Sequence, residues 1–370
     1  MKGVSIITFI SIVYFFLCML LAVFLLSIKS KNTISNKLFA TFLILTALDI
    51  SAYFHNLFLS GFSNLVMVKS LLAYLQMPVL YLYVLSVCYS NFKLKPKHLW
   101  HLIPFIVGNL VLFPRFYLNN KNSIAKIWTD FNSIWEIIYI HFTIHLQFAV
   151  YIVLMFLVLK RYKKIYQQNF SDTATKTYQW LFQFTVLSAV AHSFVIIKSI
   201  LKYFDNDFSF PLAQIFVSFF GLSIIVWMVF KALKYPELFK SVDSDIVLIQ
   251  KDKTIVDENS NKELEKLTTY METEKPYLNP SLSIRNLAEE IKMNSRDVSV
   301  LINQNLNQHF FDFVNEYRIK EAMGILKNPT KNQFTVLEIL YEVGFNSKSS
   351  FNTAFKKHTG LTPTEYRKTS

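Results

Sequence analysis

Several ionisable side chains interrupt long apolar stretches in the first two thirds of the chain. The candidates for a ligand-sensing site are Asp49, His55, His141, His145, His192 and Lys198. Charged and titratable groups are costly in an apolar environment, so they are retained mainly where they bind ions, ligands or one another. We therefore expect an outward-facing polar cavity that accepts a small-molecule or membrane-derived signal. A purely structural pairing of Asp49 with a basic or amide group is the alternative.

His141 and His145 are four residues apart and would share one helix face, which is the spacing of a metal-binding pair. No third ligand is identifiable, and two cysteines cannot form a cysteine zinc site. Two histidines on a helix are more often hydrogen-bonded core residues. The sequence also lacks a nucleotide-binding glycine loop and a convergent set of nucleophile and base. We predict no metal, no cofactor and no catalytic residues, so the chain is not expected to be an enzyme.

The apolar stretches have the length of membrane-spanning helices. Residues 4–28 are 25 residues without a charge, and about 20 suffice to cross the hydrocarbon core. This length favours a spanning helix over a cleaved signal peptide. Six further stretches lie at about 38–60, 65–90, 99–118, 134–159, 178–201 and 211–233. The fourth is short and contains Pro104, Pro114 and Arg115, so it stays open whether it crosses the whole bilayer.

The distribution of lysine and arginine indicates the orientation of these seven spans. With the N-terminus outside, the cytoplasmic edges of the spans carry 13 basic residues, and the other basic residues in this part number seven. Cytoplasmic loops are enriched in lysine and arginine. We therefore predict a multi-pass protein of the inner (cytoplasmic) membrane, with its C-terminal third in the cytoplasm.

The composition changes after this apolar part. The whole chain is 52% hydrophobic and 17% charged, against about 25% charged in soluble proteins, so a disordered chain is excluded. Residues 1–234 carry a net charge of +14, residues 235–264 carry −3 and residues 265–370 carry +2. These ranges are the predicted domains: a seven-span sensor domain, a polar acidic linker and a C-terminal domain. The basicity of the chain therefore belongs to the membrane part.

Residues 283–304 have the pattern of two short helices joined by a turn. Apolar residues recur at positions i, i+3, i+4 and i+7 before the turn at residues 292–294 and again after it. Asn294 or Ser295 can cap the second helix by accepting a backbone N–H bond. This is the helix-turn-helix pattern.

The same pattern recurs at residues 336–357. Gly344 supplies the turn, because a left-handed backbone costs glycine little. Asn346 or Ser347 caps the following helix. A longer amphipathic helix over residues 310–327 joins the two helix pairs. Two helix-turn-helix patterns in tandem are far more specific for DNA binding than one.

Residues from about 265 to 370 resemble the AraC/XylS-type DNA-binding domain over its whole length. The segment GFNSKSSFNTAFKKHTGLTPTEYR, from Gly344 to Arg367, is similar to the family signature. Residues 317–322, YRIKEA, resemble the joining helix. Two departures are visible: Leu340 replaces a usual alanine, and Asn307 replaces a usual glycine. The layout, with several spans before this domain, also resembles membrane-bound bacterial regulators of this type.

The resemblance implies sequence-specific DNA binding by both helix-turn-helices, in major-groove segments roughly 34 Å apart. Spacing then assigns the contacts to the faces opposite the apolar ones. In the first recognition helix they are Arg296, Val300 and Asn303, flanked by Ser299 and Gln304; in the second they are Ser349, Thr353 and Lys356, flanked by Asn352 and Lys357, with Lys348 and Lys357 suited to phosphates. Arginine can bind guanine, asparagine can bind adenine, and valine and threonine can touch the thymine methyl. Ordinary solvated polar positions are the alternative.

Together these patterns predict an all-α protein with a seven-helix transmembrane bundle followed by a cytoplasmic tandem helix-turn-helix domain. We expect a membrane-embedded DNA-binding transcription regulator that couples a signal in the bundle to DNA. Its expected partners are promoter DNA, the lipid bilayer, the signal molecule and a second copy in a homodimer. The alternative is a transporter or channel with a regulatory DNA-binding tail, which predicts inverted repeats and broken spans that are not evident.

Overall fold

A computed structural model of the protein describes residues 5–28, 33–54, 63–89, 92–118, 134–171, 176–202, 209–235, 258–328 and 334–369. Over these residues the chain is helical, with one isolated β-bridge between Phe170 and Ser283. The predicted all-α class is confirmed for this part of the chain. Two compact units are present. The N-terminal bundle comprises Met1–Leu159 and Trp180–Ser244, and the C-terminal domain comprises Lys160–Gln179 and Asp245–Ser370.

The helices of the N-terminal bundle follow the predicted apolar stretches. They are α1 (Ile6–Ser27), α2 (Thr33–Ile50), α3 (Ser63–Leu71), α4 (Ala73–Cys88), α5 (Ile103–Leu112), α6 (Trp135–Asn169), α7 (Lys176–Leu201) and α8 (Ser209–Lys234). Within the described ranges, seven helical segments are long and apolar enough to cross a membrane by length and composition, with α3 and α4 contributing to one of them.

The fourth of these segments, Pro96–Tyr117, is built from three kinds of helix. A 3₁₀ helix (Pro96–Leu102) leads into α5, and a π-helical turn (Phe113–Tyr117) follows α5. Pro104 and Pro114 each lie in the first turn of one of these elements. A proline there removes an N–H that has no partner within the helix, so the segment tolerates both.

The N-terminal bundle buries apolar, aromatic and a few polar side chains, and it also exposes many large apolar side chains. Helix α1 packs against α2 and α8, and α2 packs against α4. Trp180 is fully buried and donates from its indole Nε1 to the Tyr83 hydroxyl at 3.2 Å. Large apolar side chains more than half exposed include Phe9, Phe16, Phe142, Leu157 and Phe219. A water-soluble bundle normally has the reverse distribution.

The C-terminal domain contains seven further helices among the described residues. They are α9 (Glu258–Thr273), α10 (Ile284–Glu290), α11 (Ser295–Val300), α12 (Phe310–Lys327), α13 (Val336–Glu342), α14 (Lys348–Thr359) and α15 (Pro363–Lys368). Helix α9 begins at Glu258, seven residues before the predicted boundary at 265. The domain also includes Lys160–Gln179, which the sequence analysis assigned to the membrane part.

Two hydrophobic cores support the two halves of this domain. The first core joins α9, α10, α11 and the start of α12 around Leu267, Leu287 and Ile302. The second joins the end of α12 to α13 and α14 around Leu326, Leu340 and Phe351. Leu340, the departure from the family pattern, is fully buried in this second core.

Candidate nucleic-acid interface and ligand cavity

The first recognition helix consists of α11 and the π-helical turn Leu301–Asn305 that continues it. Asn294 caps it, because its side chain accepts from the Arg296 backbone N–H at 3.0 Å. Val298, Leu301 and Ile302 are buried in the domain, so the opposite side of the helix faces outward. Arg296 and Gln304 are exposed on that outward side, and Val300 is half-buried.

Ser299 and Asn303 are held in a local hydrogen-bond network rather than presented freely. Ser299 is fully buried, so the structure does not place it on the outward surface that its spacing suggested. The Asn303 amide donates to the Ser299 carbonyl at 2.8 Å and to the Ser299 hydroxyl at 3.1 Å. The Asn303 side-chain oxygen lies 3.3 Å from Nδ1 of His309. To bind an adenine through its amide nitrogen and oxygen, Asn303 has to break its hydrogen bonds to Ser299 and His309 and form new ones to the base.

The second recognition helix, α14, is twelve residues long and has a more open polar face. Ser347 caps it by accepting from the Ser350 backbone N–H at 3.1 Å. Phe351 and Phe355 are fully buried and fix which side of the helix faces the core. On the other side Lys348, Ser349, Thr353, Lys356 and Lys357 are exposed, and Asn352 is half-buried.

Lys357 forms an ion pair with Asp312 on the joining helix, with Nζ and Oδ1 2.7 Å apart. The lysine side chain is 70% exposed and that of Asp312 34% exposed. An ion pair this accessible contributes little to stability because water screens it. A phosphate could therefore compete with Asp312 for Lys357, which makes Lys357 a weaker candidate for DNA contact than Lys356.

Two backbone positions of the helix-turn-helix domain have a left-handed conformation that the sequence predicted. Gly344 has φ +86°, and Asn307 has φ +52°. A Cβ at Gly344 would lie 2.6 Å from the Tyr277 carbonyl oxygen and 2.7 Å from the Leu278 carbonyl oxygen. The turn of the second helix-turn-helix is thus in direct contact with the segment that precedes the first.

Arg318 on the joining helix is fully buried and connects segments that are distant in sequence. Its guanidinium donates to the carbonyls of Tyr277 at 2.7 Å and Asn279 at 2.8 Å. It also donates to the Ser171 carbonyl at 3.2 Å and hydroxyl at 3.1 Å. Arg318 carries a fixed charge in a buried site, and these four oxygens compensate for its lost hydration.

Ser171 is itself bonded to the strand-like segment before α10. Its backbone N–H donates to the Leu282 carbonyl at 3.2 Å, and its hydroxyl donates to the same carbonyl at 2.9 Å. The neighbouring Phe170 and Ser283 form the isolated β-bridge. The residues that follow α6 are therefore an integral part of the C-terminal domain. Sequence reasoning missed this role of Ser171, which has no local signal because Arg318 is 147 positions away.

The N-terminal bundle encloses a cavity of about 1070 Å³. Of the predicted sensing residues, Asp49, His145, His192 and Lys198 line it. His141 is not among its lining residues, although it lies one turn from His145 on α6. His55 lies outside the described residues. The structure therefore brings four of the six predicted residues together.

Hydrogen bonds already organise the histidines of this cavity. Nδ1 of His145 lies 3.1 Å from Nε2 of His192, and Nε2 of His145 lies 3.1 Å from the Ser199 hydroxyl. The His192 ring is stacked on Phe148, with the ring centroids 3.4 Å apart. Gln76, the amide considered as a structural partner of Asp49, lines the cavity with it and donates to the Leu45 carbonyl at 3.4 Å. Within the described ranges, no group of three or more metal-ligating side chains could hold a metal ion.

The cavity also contains polar residues outside the predicted set. Lys69, Gln76 and Lys202 line it, and Lys69 donates to the Ser51 hydroxyl at 3.0 Å. A sequence signal existed for Lys202, since it follows Lys198 by one helical turn. Gln76 gave no such signal, because a neutral amide does not stand out in an apolar stretch.

Comparisons with known proteins concern the C-terminal domain. The family described as a helix-turn-helix domain matches residues 287–369. The uncharacterized transcriptional regulatory protein YesN of Bacillus subtilis (strain 168) is 35% identical over 92 residues, which is 24% of this chain and 24% of that protein. The melibiose operon regulatory protein of Escherichia coli (strain K12) is 28% identical over 90 residues, which is 24% of this chain and 29% of that protein.

A solved structure is also similar in this region. The C-terminal domain of AraT, a response regulator from Geobacillus stearothermophilus, is 23% identical, and the match covers 32% of this chain and 89% of that chain with a TM-score of 0.25. This chain spans about a quarter of the length of the curated relatives named above. The C-terminal domain is a helix-turn-helix domain of AraC type, and its recognition from the sequence is confirmed.

Proposed function

We propose that the protein is a membrane-embedded transcription regulator that binds promoter DNA through both helix-turn-helices and responds to a ligand in the N-terminal bundle. One observation carries the DNA-binding part. A domain matching the helix-turn-helix family presents two capped helices whose inner faces are buried and whose outer faces are polar. One of the similar proteins is named a transcriptional regulatory protein, and another is named an operon regulatory protein.

The exposed side chains on each helix suit different parts of the DNA. Arg296 and Gln304 can reach base edges in the major groove, where arginine pairs with guanine through two hydrogen bonds. Lys348 and Lys356 are exposed cations on the second recognition helix and suit phosphates or guanine. Thr353 can touch a thymine methyl group.

The distribution of apolar surface supports membrane embedding. Seven described segments have the length and hydropathy of membrane spans, and several large apolar side chains on them point outward. Contiguous apolar surface of this extent is unfavourable in water and favourable against lipid. The excess of basic residues on alternate loops supports an inner-membrane location with the N-terminus outside and the C-terminal domain in the cytoplasm.

Helix α6 offers a route by which a ligand can act on the C-terminal domain. It carries His145, which lines the cavity, and its last ten residues, Lys160–Asn169, belong to the C-terminal domain. Ser171 follows directly and is bonded to Arg318. We propose that the ligand prefers one position of α6 over another, because an effector can shift an equilibrium only through such a difference in affinity.

Gel-shift experiments test DNA binding. The full chain in nanodiscs should shift a fragment of a target promoter, and the shift should weaken as salt rises. The double variant Arg296→Ala with Lys356→Ala should abolish it. Lys320→Ala on the joining helix, away from both recognition faces, is the matched control and should bind as the parent does. Unchanged binding by the double variant would contradict the assigned faces.

Cysteine labelling in intact cells tests the topology. Cys18 and Cys88 are both buried, so an introduced cysteine can be followed against a low background. Lys121→Cys should react with a membrane-impermeant thiol reagent, because residue 121 lies on the predicted outer side. Lys95→Cys should react only after the cells are opened. The opposite pattern would reverse the proposed orientation, and reaction of both in intact cells would exclude it.

A further inference from the structure

We infer that the cavity of the N-terminal bundle binds an anionic amphiphile, that is, a molecule with a negatively charged headgroup and an apolar body. This inference rests on the proposed sensing function and names the chemical class of its ligand. The cavity has a volume of about 1070 Å³, which is slightly above the range of roughly 300–1,000 Å³ for small-molecule sites. It can therefore hold a ligand larger than a single headgroup.

The charge of the cavity wall carries the headgroup assignment. Lys69 and Lys198 line the cavity, and Asp49 is the one acidic side chain among the described lining residues. Positive charge that exceeds negative charge in a low-dielectric site is unfavourable until an anion compensates it. A ligand with one negative charge would balance this excess, whereas a cationic ligand would add to it.

The polar groups gather at one end of the bundle. Asp49 lies near the end of α2, and Lys198 near the end of α7. Lys69 on α3 lies near the start of the segment Val66–Cys88, whereas Gln76 on α4 is near its middle. In the proposed topology successive spans alternate in direction, so Asp49, Lys69 and Lys198 are at the outer end. The headgroup therefore enters from, and stays near, the outer side of the membrane.

The other part of the cavity wall is apolar. Its lining residues there are Phe42, Leu80, Phe184, Ile224 and Met228. In the proposed topology these five residues lie closer to the cytoplasmic side than Asp49, Lys69 and Lys198 do. Such a wall favours a hydrocarbon or aromatic body over water, by about 25 cal/mol for each Å² of apolar surface that is buried. The apolar wall and the charged end together define an amphiphile rather than a small inorganic anion.

The inference can be tested with three probes of equal chain length and different charge. The full chain is placed in nanodiscs of phosphatidylcholine, and the binding of dodecanoate, methyl dodecanoate and dodecylammonium is measured by equilibrium dialysis against empty nanodiscs. We expect saturable binding of dodecanoate, and binding at least about tenfold weaker for the ester and the ammonium compound. Equal binding of all three, or no saturable binding of dodecanoate, would overturn the inference.

Variants of Lys198 assign the binding to this cavity. Lys198→Gln should weaken dodecanoate binding at least about tenfold, while Lys97→Gln, at an exposed position in the 3₁₀ helix, should leave it unchanged. Lys198→Glu should bind dodecylammonium better than the parent does, a gain that a misfolded protein cannot show. Dodecanoate binding that is the same in Lys198→Gln and in the parent would refute the site.

Two further measurements complete the test. The first identifies the source of the anion, and the second separates the ligand inference from the proposal of DNA binding. If phosphatidylglycerol in the nanodiscs competes with dodecanoate, the anion is a bilayer lipid; if it does not, the anion is a free amphiphile, and both results retain the ligand class. DNA binding by the full chain in nanodiscs without added amphiphile is measured independently. Loss of the ligand inference would leave that DNA binding intact, and failure of DNA binding would leave the dodecanoate result intact.

Discussion

The two helix-turn-helices of the C-terminal domain share one design but hold their polar side chains in different ways. In the first, the α-helical part of the recognition helix has six residues, and Asn303 is bonded to Ser299 and His309. In the second, the recognition helix has twelve residues, and Lys348 and Lys356 are exposed on it. The first recognition helix therefore presents one exposed arginine and an asparagine held by internal hydrogen bonds. The second recognition helix presents exposed lysines, whose side chains are long and flexible.

This difference suggests a division of labour on DNA. Lysine is a point charge on a flexible stem and suits phosphates, which give affinity and salt dependence without sequence information. An arginine or a positioned amide suits base edges, which give specificity. We therefore expect the first helix-turn-helix to contribute more to specificity and the second to contribute more to affinity.

The largest expected effect is on Arg318, because it bonds to the segment before the first helix pair and lies 5.5 Å from the ring centroid of Phe345 in the second half of the domain. Arg318→Met leaves the Tyr277 and Asn279 carbonyls without their donor, and each unsatisfied buried group costs about 1–3 kcal/mol. We expect the C-terminal domain of the full chain to lose about 3 kcal/mol of unfolding free energy, measured by hydrogen exchange of its backbone amides in increasing denaturant. Lys320→Met is the matched control on the same helix, with a loss of about 0.5 kcal/mol or less. Equal losses would show that Arg318 does not connect the halves.

The second-largest effect is expected at Gly344. A substitution there tests the contact between the turn of the second helix-turn-helix and the segment before the first. Gly344→Ala meets two carbonyl oxygens and a left-handed backbone, and we expect a loss of about 2–3 kcal/mol in the same unfolding measurement. Gly360→Ala has the same kind of backbone, φ +79°, but no atom within 4 Å of the added Cβ. It should therefore cost only about 1 kcal/mol. Similar losses for both variants would mean that the close approach at Gly344 is unimportant.

The division of labour itself is tested by comparing Lys356→Ala with Arg296→Ala on a mapped promoter site. Lys356→Ala should weaken binding to all sequences alike and reduce the slope of log K against log salt by about one. Arg296→Ala should cost about 1–3 kcal/mol on the target site and relax the preference at one base pair. Fluorescence anisotropy at several salt concentrations measures both quantities. A specificity change in Lys356→Ala without a slope change would reverse the assignment.

The smallest expected effect concerns the caps of the first helix in each pair. Thr335→Ala and Ser283→Ala should each cost about 1 kcal/mol in the unfolding measurement. The two caps should differ in pH dependence. Bonds from the Thr335 backbone and hydroxyl lower the pKa of Glu338, whereas the Ser283 cap is completed by the amide residue Asn286.

The sign of this pH dependence follows from the direction of the shift. A lowered pKa in the folded state means that Glu338 stabilises the domain above its unfolded pKa, about 4.3, and that the contribution disappears as the pH falls through the folded value. Acid titration of Glu338→Gln should therefore show a smaller loss of stability below pH 4.3 than the parent does. An identical acid titration would contradict the capping role of Glu338.

Local signals in the sequence were enough for much of the helix-turn-helix domain. Asn294 and Ser347 act as caps, and Gly344 turns the chain, because each of these roles depends on neighbours within a few residues. The joining helix has the predicted bounds, 310–327, for the same reason. Long-range features were not accessible in this way.

Ser299, Ser171 and His141 illustrate what spacing alone cannot decide. Ser299 was expected at the edge of the outward face, but packing buries it completely. The bond between Ser171 and Arg318 depends on how two distant segments fold together. His141 and His145 share a helix face by spacing, yet only His145 lines the cavity, because neighbouring helices determine which turn of α6 borders the open volume.

The π-helical turn at Leu301–Asn305 has a consequence for how this protein can change over evolution. A π-helical turn accommodates one extra residue, so the side chains after it are rotated relative to a continuous α-helix. Deleting residue 301 or 302 would restore the regular helix and rotate Gln304 and its successors onto a different side. The preferred operator could then be altered by an insertion or deletion, while every side chain that touches DNA keeps its identity.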